Sequence, residues 1–177
     1  MNTRKSRKFL NTRNIALAGM IAAMYVALVY VLAEFSFFAF QLRVAEVLTI
    51  LPFIFPAAIP GVFVGCLVSN ILLSPLGLPD YIFTPLATLA AAYLTSRCKT
   101  RWLAPLPPVI LNAIAVSAIL TLFDPEVLSS MGASMSTFIA IGLSIFVSQA
   151  IVCAGLGIPL LYAIEKLKLQ ERFLGKP

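Results

Sequence analysis

Arg43-Val44-Ala45-Glu46-Val47-Leu48-Thr49-Ile50-Leu51-Pro52-Phe53-Ile54-Phe55, then Pro56-Ala57-Ala58-Ile59-Pro60-Gly61, then Val62-Phe63-Val64-Gly65-Cys66-Leu67-Val68-Ser69-Asn70-Ile71-Leu72-Leu73, is the stretch on which the fold turns. It is apolar enough for a membrane, and the question is how often it crosses. One straight helix of this length covers roughly 45 Å, too long for a hydrocarbon core about 30 Å thick. Two short helices fit better, with Pro56 and Pro60 supplying the break.

The charges outside this stretch give the same answer. Twelve of the thirteen Lys and Arg residues fall in three patches, at 4–13, 97–101 and 166–176, and Arg43 stands alone. Basic residues confined to segments flanking apolar runs mark the cytoplasmic side. An even number of spans must then separate the first patch from the second. Asn14 to about Ala33 is one span and Tyr81–Ser96 another, so 43–73 crosses twice or not at all. Crossing twice makes four. Pro105–Phe123 then runs outward, Asp124–Ser136 is the longest outside loop, and Thr137–Ile164 returns. The expected fold is an all-α integral membrane protein of six transmembrane helices with both termini cytoplasmic. A basic segment (1–13) precedes the membrane domain (14–165), and a cytoplasmic tail (166–177) follows it.

Composition narrows the function classes. Apolar residues make up 60% of the chain and charged residues 11%, against about 25% charged in a soluble domain. Long apolar runs argue against a β-barrel, which needs alternation. The net charge of +6 follows the topology and does not indicate nucleic acid. Cys66, Cys98 and Cys153 form no CxxC pair and the chain has no His, so no metal site is expected. There is no GxxxxGK[ST] loop, no HExxH and no Ser/His/Asp set, so no enzymatic activity and no cofactor is expected.

Among the acids, Glu34, Glu46, Asp80, Asp124 and Glu126 fall at or near the outer side, a cluster that suits an outward-facing binding site. Intramembrane ionisable residues default to function. Arg43 and Glu46 stand at i, i+3 and share a helix face. They form either an interfacial ion pair or the wall of a binding site. Asn70, Asn112 and Gln149 are the strongly polar uncharged side chains within the spans, either as binding groups or as hydrogen-bonding glue between helices. Asp80 opens the fourth span, as a site residue or as an N-cap, and Tyr81 follows it. Small residues recur at four-residue spacing: Ala18/Ala22, Gly19/Ala23 and Ala23/Ala27 in the first span, Gly61, Gly65 and Ser69 in the third, Ala87/Ala91 in the fourth. Such faces let helices approach closely. The density on the first span suggests a further partner helix.

The segment Gln41 to Pro52, continued by Pro56-Ala57-Ala58-Ile59-Pro60-Gly61-Val62-Phe63-Val64-Gly65-Cys66, closely resembles the QueT family. Leu86 to Thr95, Leu103 to Ala113, and Ala150 to Cys153 with Gly157 to Leu161 extend the resemblance over nearly all of 14–165. It implies the substrate-binding S component of an energy-coupling factor (ECF) transporter in a prokaryotic plasma membrane. The ligand so implied is a queuosine precursor, a 7-deazaguanine-type base or queuine-like compound. The implied partners are a transmembrane coupling protein, docked through Ala18, Ala22 and Ala23 on the first helix, and two cytoplasmic ATPases. The implied mechanism is toppling of the loaded subunit in the membrane. The chain departs from the family pattern at Gln149, where an acid is common, after a glycine where Ser148 stands. A neutral amide still bonds a purine-like edge but cannot pair with a cationic aminomethyl group.

The expected site lies near the outer face. Glu46, or failing it Asp80, accepts the adjacent N–H and amino groups of a guanine-like edge. Asn112, Gln149 and Asn70 add mixed contacts, and Arg43 orients Glu46 or donates to the base carbonyl. Phe35–Phe40 and Tyr81 supply stacking. The competing classes are an S component for another vitamin-like ligand and a stand-alone secondary transporter, which needs neither ATP nor partner subunits.

Overall fold

A computed structural model describes residues 11–33 and 43–167. The aromatic stretch Phe35–Phe40, and the basic residues before position 11 and after position 167, lie outside the described residues. Helix α1 spans Thr12–Val31 and is followed by a 3₁₀ helix, Val44–Phe53. Then come α2 (Ala58–Leu73), α3 (Leu78–Thr95), α4 (Leu106–Phe123) and a short α5 (Pro125–Ser130). The last rod is continuous: α6 (Met135–Ala150), a π-helical segment (Ile151–Leu156) and α7 (Gly157–Lys166). Among the described residues, three helical stretches are long and apolar enough to cross a membrane: Thr12–Val31, Leu106–Phe123 and Met135–Lys166. Val44–Phe53 and Ala58–Leu73 are shorter apolar helices.

How α1 meets α2 fixes the direction in which the two helices run. A Cβ on Gly61 would lie 2.6 Å from the Ala18 carbonyl oxygen, and one on Gly65 would lie 2.6 Å from Tyr25 Cβ and 3.1 Å from the Ala22 oxygen. Residue numbers rise together on the two helices, so α1 and α2 run parallel. The chain must therefore travel back between them, along a connection that includes the 3₁₀ helix, itself roughly 20 Å long at about 2 Å per residue. Small residues let the backbones touch. Ala18 and Ala22, expected to face a partner, are half-buried against α2. Ala23 is exposed on the other side of α1, as are Gly19 and Ala27.

The break between the two short helices falls at Ile54–Ala57, earlier than the prolines suggested. Pro60 stands in the first turn of α2, where its missing N–H costs no helical bond. A 3₁₀ run of ten residues is unusual, since side chains at i and i+3 eclipse. That eclipsing sorts this segment. Ala45, Leu48 and Leu51 form one buried apolar edge, and Glu46, Thr49 and Pro52 form a second buried edge with polar groups. Thr49 Oγ1 donates to the Glu46 carbonyl at 2.6 Å. The 3₁₀ helix is the central post, in contact with α1, α2, α3, α4, the π segment and α7.

The last rod bends around this post. Gly157 has no room for a Cβ because the Ile50 side chain occupies that space. Cys153, in the π segment, directs its thiol at the Glu46 carbonyl at 3.6 Å. On the outside of the bundle Met24, Leu72, Phe83, Ile114 and Leu143 are exposed, which suits helices apolar all round in a membrane. Arg101 pairs with Glu165 at 3.3 Å and lies 4.5 Å above the Tyr162 ring. These contacts put the 97–101 patch and the end of α7 at the same end of the bundle.

Two expectations are corrected here. Asp124–Ser136, read as a loop, contains α5, capped by Asp124, whose side chain accepts from Glu126 N and Val127 N. Asp80 is not an N-cap: α3 starts at Leu78 after Gly77, and its carboxylate is used elsewhere.

Candidate functional site

A polar side chain inside an apolar bundle costs free energy unless it is hydrogen-bonded. The polar residues of this bundle gather around the first half of the 3₁₀ helix. Arg43, Glu46, Asn70, Asp80, Asn112 and Gln149 are all buried, at 4% exposure or less. Tyr81 is only half-buried and stands outside the hydrogen-bonded cluster.

The outer layer is an ion-pair network. Arg43 Nη2 lies 3.4 Å from Asp80 Oδ2. Thr84, one turn along α3, donates to the other Asp80 oxygen. Asn70 Nδ2 donates to the Asp80 backbone oxygen at 3.2 Å, tying α2 to α3. The spacing leaves Arg43 and Glu46 open as an ion pair or a binding wall; in the structure Arg43 pairs with Asp80. The reason is geometric: α3 brings a carboxylate to the start of the 3₁₀ helix, while the eclipsed 3₁₀ edge turns Glu46 toward α1.

The inner layer centres on Glu46. Tyr25 of α1 donates its hydroxyl to Glu46 Oε1 at 2.7 Å. The second oxygen, Oε2, has no hydrogen-bond partner and is fully buried. Asn112 of α4 is next to the same carboxylate, and both its Oδ1 and its Nδ2 are buried without a hydrogen-bond partner. Asn70 joins α2 to α3. Gln149 faces Cys153 of its own rod, with Oε1 3.7 Å from the thiol. Below, Thr88 Oγ1 donates to Cys66 Sγ at 3.4 Å.

The Arg43–Asp80 pair and the Glu46 carboxylate lie in one buried cluster. Leaving a buried polar group unpaired costs about 1–3 kcal/mol. Glu46 Oε2 and the two Asn112 amide atoms each carry such a cost. Side by side they offer an acceptor, a donor and a second acceptor to a planar polar edge. No group of three or more metal-ligating side chains is found among the described residues. A separate apolar cavity of about 340 Å³ lies between the C-terminal end of α4 and the N-terminal end of α6, lined by Ala118, Thr121, Leu122, Ala133, Ser134, Met135 and Phe138. It does not reach the polar cluster.

Tyr25, Thr84 and Thr88 were not anticipated from the sequence. The threonines carry a legible signal, since Asp80, Thr84 and Thr88 stand four residues apart on one face of α3. Tyr25 carries none, because it shares the Ile21–Tyr25–Val29 buried stripe of α1 and reads there as core.

A family model described as QueT transporter matches residues 15–166. Neither a curated protein nor a solved structure matches the chain.

Proposed function

Since the chain belongs to the QueT transporter family, we propose that it is the substrate-binding S component of an ECF-type importer in a prokaryotic plasma membrane, taking up a 7-deazaguanine-type queuosine precursor. The observation that carries this reading is the set of three unpartnered buried atoms, Glu46 Oε2, Asn112 Oδ1 and Asn112 Nδ2. A guanine-like edge presents an amino group, a ring N–H and a carbonyl in a row. Glu46 Oε2 accepts from the amino group, Asn112 Oδ1 accepts from the ring N–H, and Asn112 Nδ2 donates to the carbonyl. Arg43 is held by Asp80 and serves to hold that wall together. Gln149 adds to the lining of the site, Asn70 holds the Asp80 backbone, and Tyr81, half-buried, stands at its edge. Because the cluster is wholly buried, a ligand enters through a movement that parts the outer ends of the helices.

In this reading the ATP is consumed elsewhere, by two cytoplasmic ATPases working through a transmembrane coupling protein. The coupling protein docks on the exposed small-residue face of α1, with Ala23 between Gly19 and Ala27. Ala18 and Ala22 support that face from beneath by seating α1 on α2. Ala23→Trp is expected to abolish assembly and uptake while the purified subunit still binds ligand.

The experiment for the site is direct binding of a 7-deazaguanine-type base to purified Glu46→Ala, Asn112→Ala and Asp80→Ala proteins. Loss in the first two, and a folding defect with loss in the third, is the expected result. Undiminished affinity in all three sinks the site. Uptake in cells lacking any ATPase module would favour a stand-alone transporter instead.

A further inference from the structure

The bond from Tyr25 to Glu46 determines what the site can recognise. The Tyr25 ring is 1% exposed, trapped where Gly65 of α2 lacks a side chain: a Cβ there would meet Tyr25 Cβ at 2.6 Å and Cγ at 3.0 Å. The ring cannot swing away, and its hydroxyl holds Glu46 Oε1 at 2.7 Å. One carboxylate oxygen is thereby committed to the protein and the other is left bare. A carboxylate held at one oxygen cannot rotate to follow a poorly fitting ligand.

We infer that Tyr25 is the positioning residue of the ligand-binding carboxylate and sets the specificity of the site, by fixing Glu46 so that a ligand lacking an N–H opposite Oε2 leaves that oxygen unpaired. The inference rests on the reading of Glu46 as the ligand carboxylate. Its physical basis is general. A site built around a hydrogen bond rejects the analogue that lacks the group, because a buried polar atom is then stranded. That rejection is only as strong as the stranded atom is immobile.

The test uses two probes, 7-deazaguanine and 7-deazahypoxanthine, which differ only in the exocyclic amino group. Full-length wild-type protein in detergent is expected to prefer the first by about a hundredfold or more. Tyr25→Phe removes one oxygen atom and keeps the ring that packs on Gly65. It is expected to weaken 7-deazaguanine binding roughly ten- to a hundredfold, the range for hydrogen bonds to charged groups. It should weaken 7-deazahypoxanthine far less, so that the preference shrinks by about tenfold or more. A thermal unfolding curve recorded on the same samples reports any loss of fold.

A purely structural role for Tyr25 predicts equal weakening of both probes at an unchanged ratio, and that result overturns the inference while leaving the proposed function standing. So does a Tyr25→Phe protein that binds both probes as wild type does. Wild-type protein that binds neither probe overturns the proposed function, and this inference with it. In Glu46→Gln protein, where the carboxylate is already gone, adding Tyr25→Phe is expected to leave the probe ratio within about threefold of the single variant. A larger further change would mean that Tyr25 acts on the ligand by another route, which also overturns the inference.

Discussion

Gly65→Ala adds one carbon at the point where α1 and α2 touch. The new Cβ would lie 2.6 Å from Tyr25 Cβ and 3.1 Å from the Ala22 carbonyl oxygen, while ordinary contact begins near 3.4 Å. Neither neighbour is the free end of a flexible side chain. Helix α1 must therefore retreat by as much as about 0.8 Å. Overpacking of this kind costs about 1–3 kcal/mol, partly offset by the roughly 1 kcal/mol that alanine gains over glycine within a helix. The same retreat stretches the Tyr25–Glu46 bond from 2.7 Å toward about 3.5 Å, past useful hydrogen-bond length. Gly19→Ala is the control, because nothing lies within 4 Å of a Cβ there. Thermal unfolding of detergent-purified protein should place Gly65→Ala several degrees below wild type and Gly19→Ala at or above it. Binding should fall in Gly65→Ala alone. A Gly65→Ala protein as stable as Gly19→Ala, with unchanged binding, would refute the parallel seating of α1 on α2.

Arg43→Ala strands the Asp80 carboxylate at 1% exposure; breaking a buried pair in this way costs about 3–5 kcal/mol, and a sharply lowered unfolding temperature is expected, with partial recovery in Arg43→Ala/Asp80→Asn. Asn112→Leu replaces two unpartnered buried polar atoms by apolar ones and should raise stability by about 1–2 kcal/mol while abolishing ligand binding, a split that unfolding curves and titrations on one preparation will show. A membrane-impermeant maleimide should label Cys98 from the cytoplasmic side, while Cys66 and Cys153, both at 0% exposure, stay unlabelled in the folded protein. Desolvation pushes the Cys98 thiol above its ordinary value, so the thiolate forms only at higher pH and labelling should keep accelerating beyond the usual thiol range. Labelling of Cys98 from the outside would overturn the topology.

Much of the architecture could be read from the chain because the membrane and the charge rule leave few choices. The parity argument from the basic patches reads 43–73 as two crossings; the structure gives it two short apolar helices, the second parallel to α1 through the contacts of Gly61 and Gly65. The short helix itself was misjudged in kind. Nothing in Val44–Phe53 distinguishes a 3₁₀ from an α-helix by hydropathy, and the choice depends on which side chains the surrounding rods accept. The partner of Arg43 could not be read for a related reason. Its spacing from Glu46 suits an α-helical face, whereas in three dimensions Asp80, thirty-seven residues away, arrives from α3. Glu46, Asp80 and Asn112 stand out in sequence because polar groups are costly in an apolar span. Tyr25 does not, since a tyrosine in an apolar helix passes for core until its hydroxyl is seen to meet a carboxylate. The small-residue stripe of α1 also divides only in the structure, with Ala18 and Ala22 turned inward and Ala23 outward.

The account rests most heavily on Glu46 and Asn112 being the groups that hold the ligand, and the structure of the protein bound to a 7-deazaguanine-type base tests this directly. The base is predicted to lie with an N–H about 3 Å from Glu46 Oε2 and its carbonyl oxygen about 3 Å from Asn112 Nδ2, with the Tyr25–Glu46 and Arg43–Asp80 contacts intact. A base bound elsewhere, with Glu46 Oε2 and the Asn112 amide still unpartnered, would contradict it.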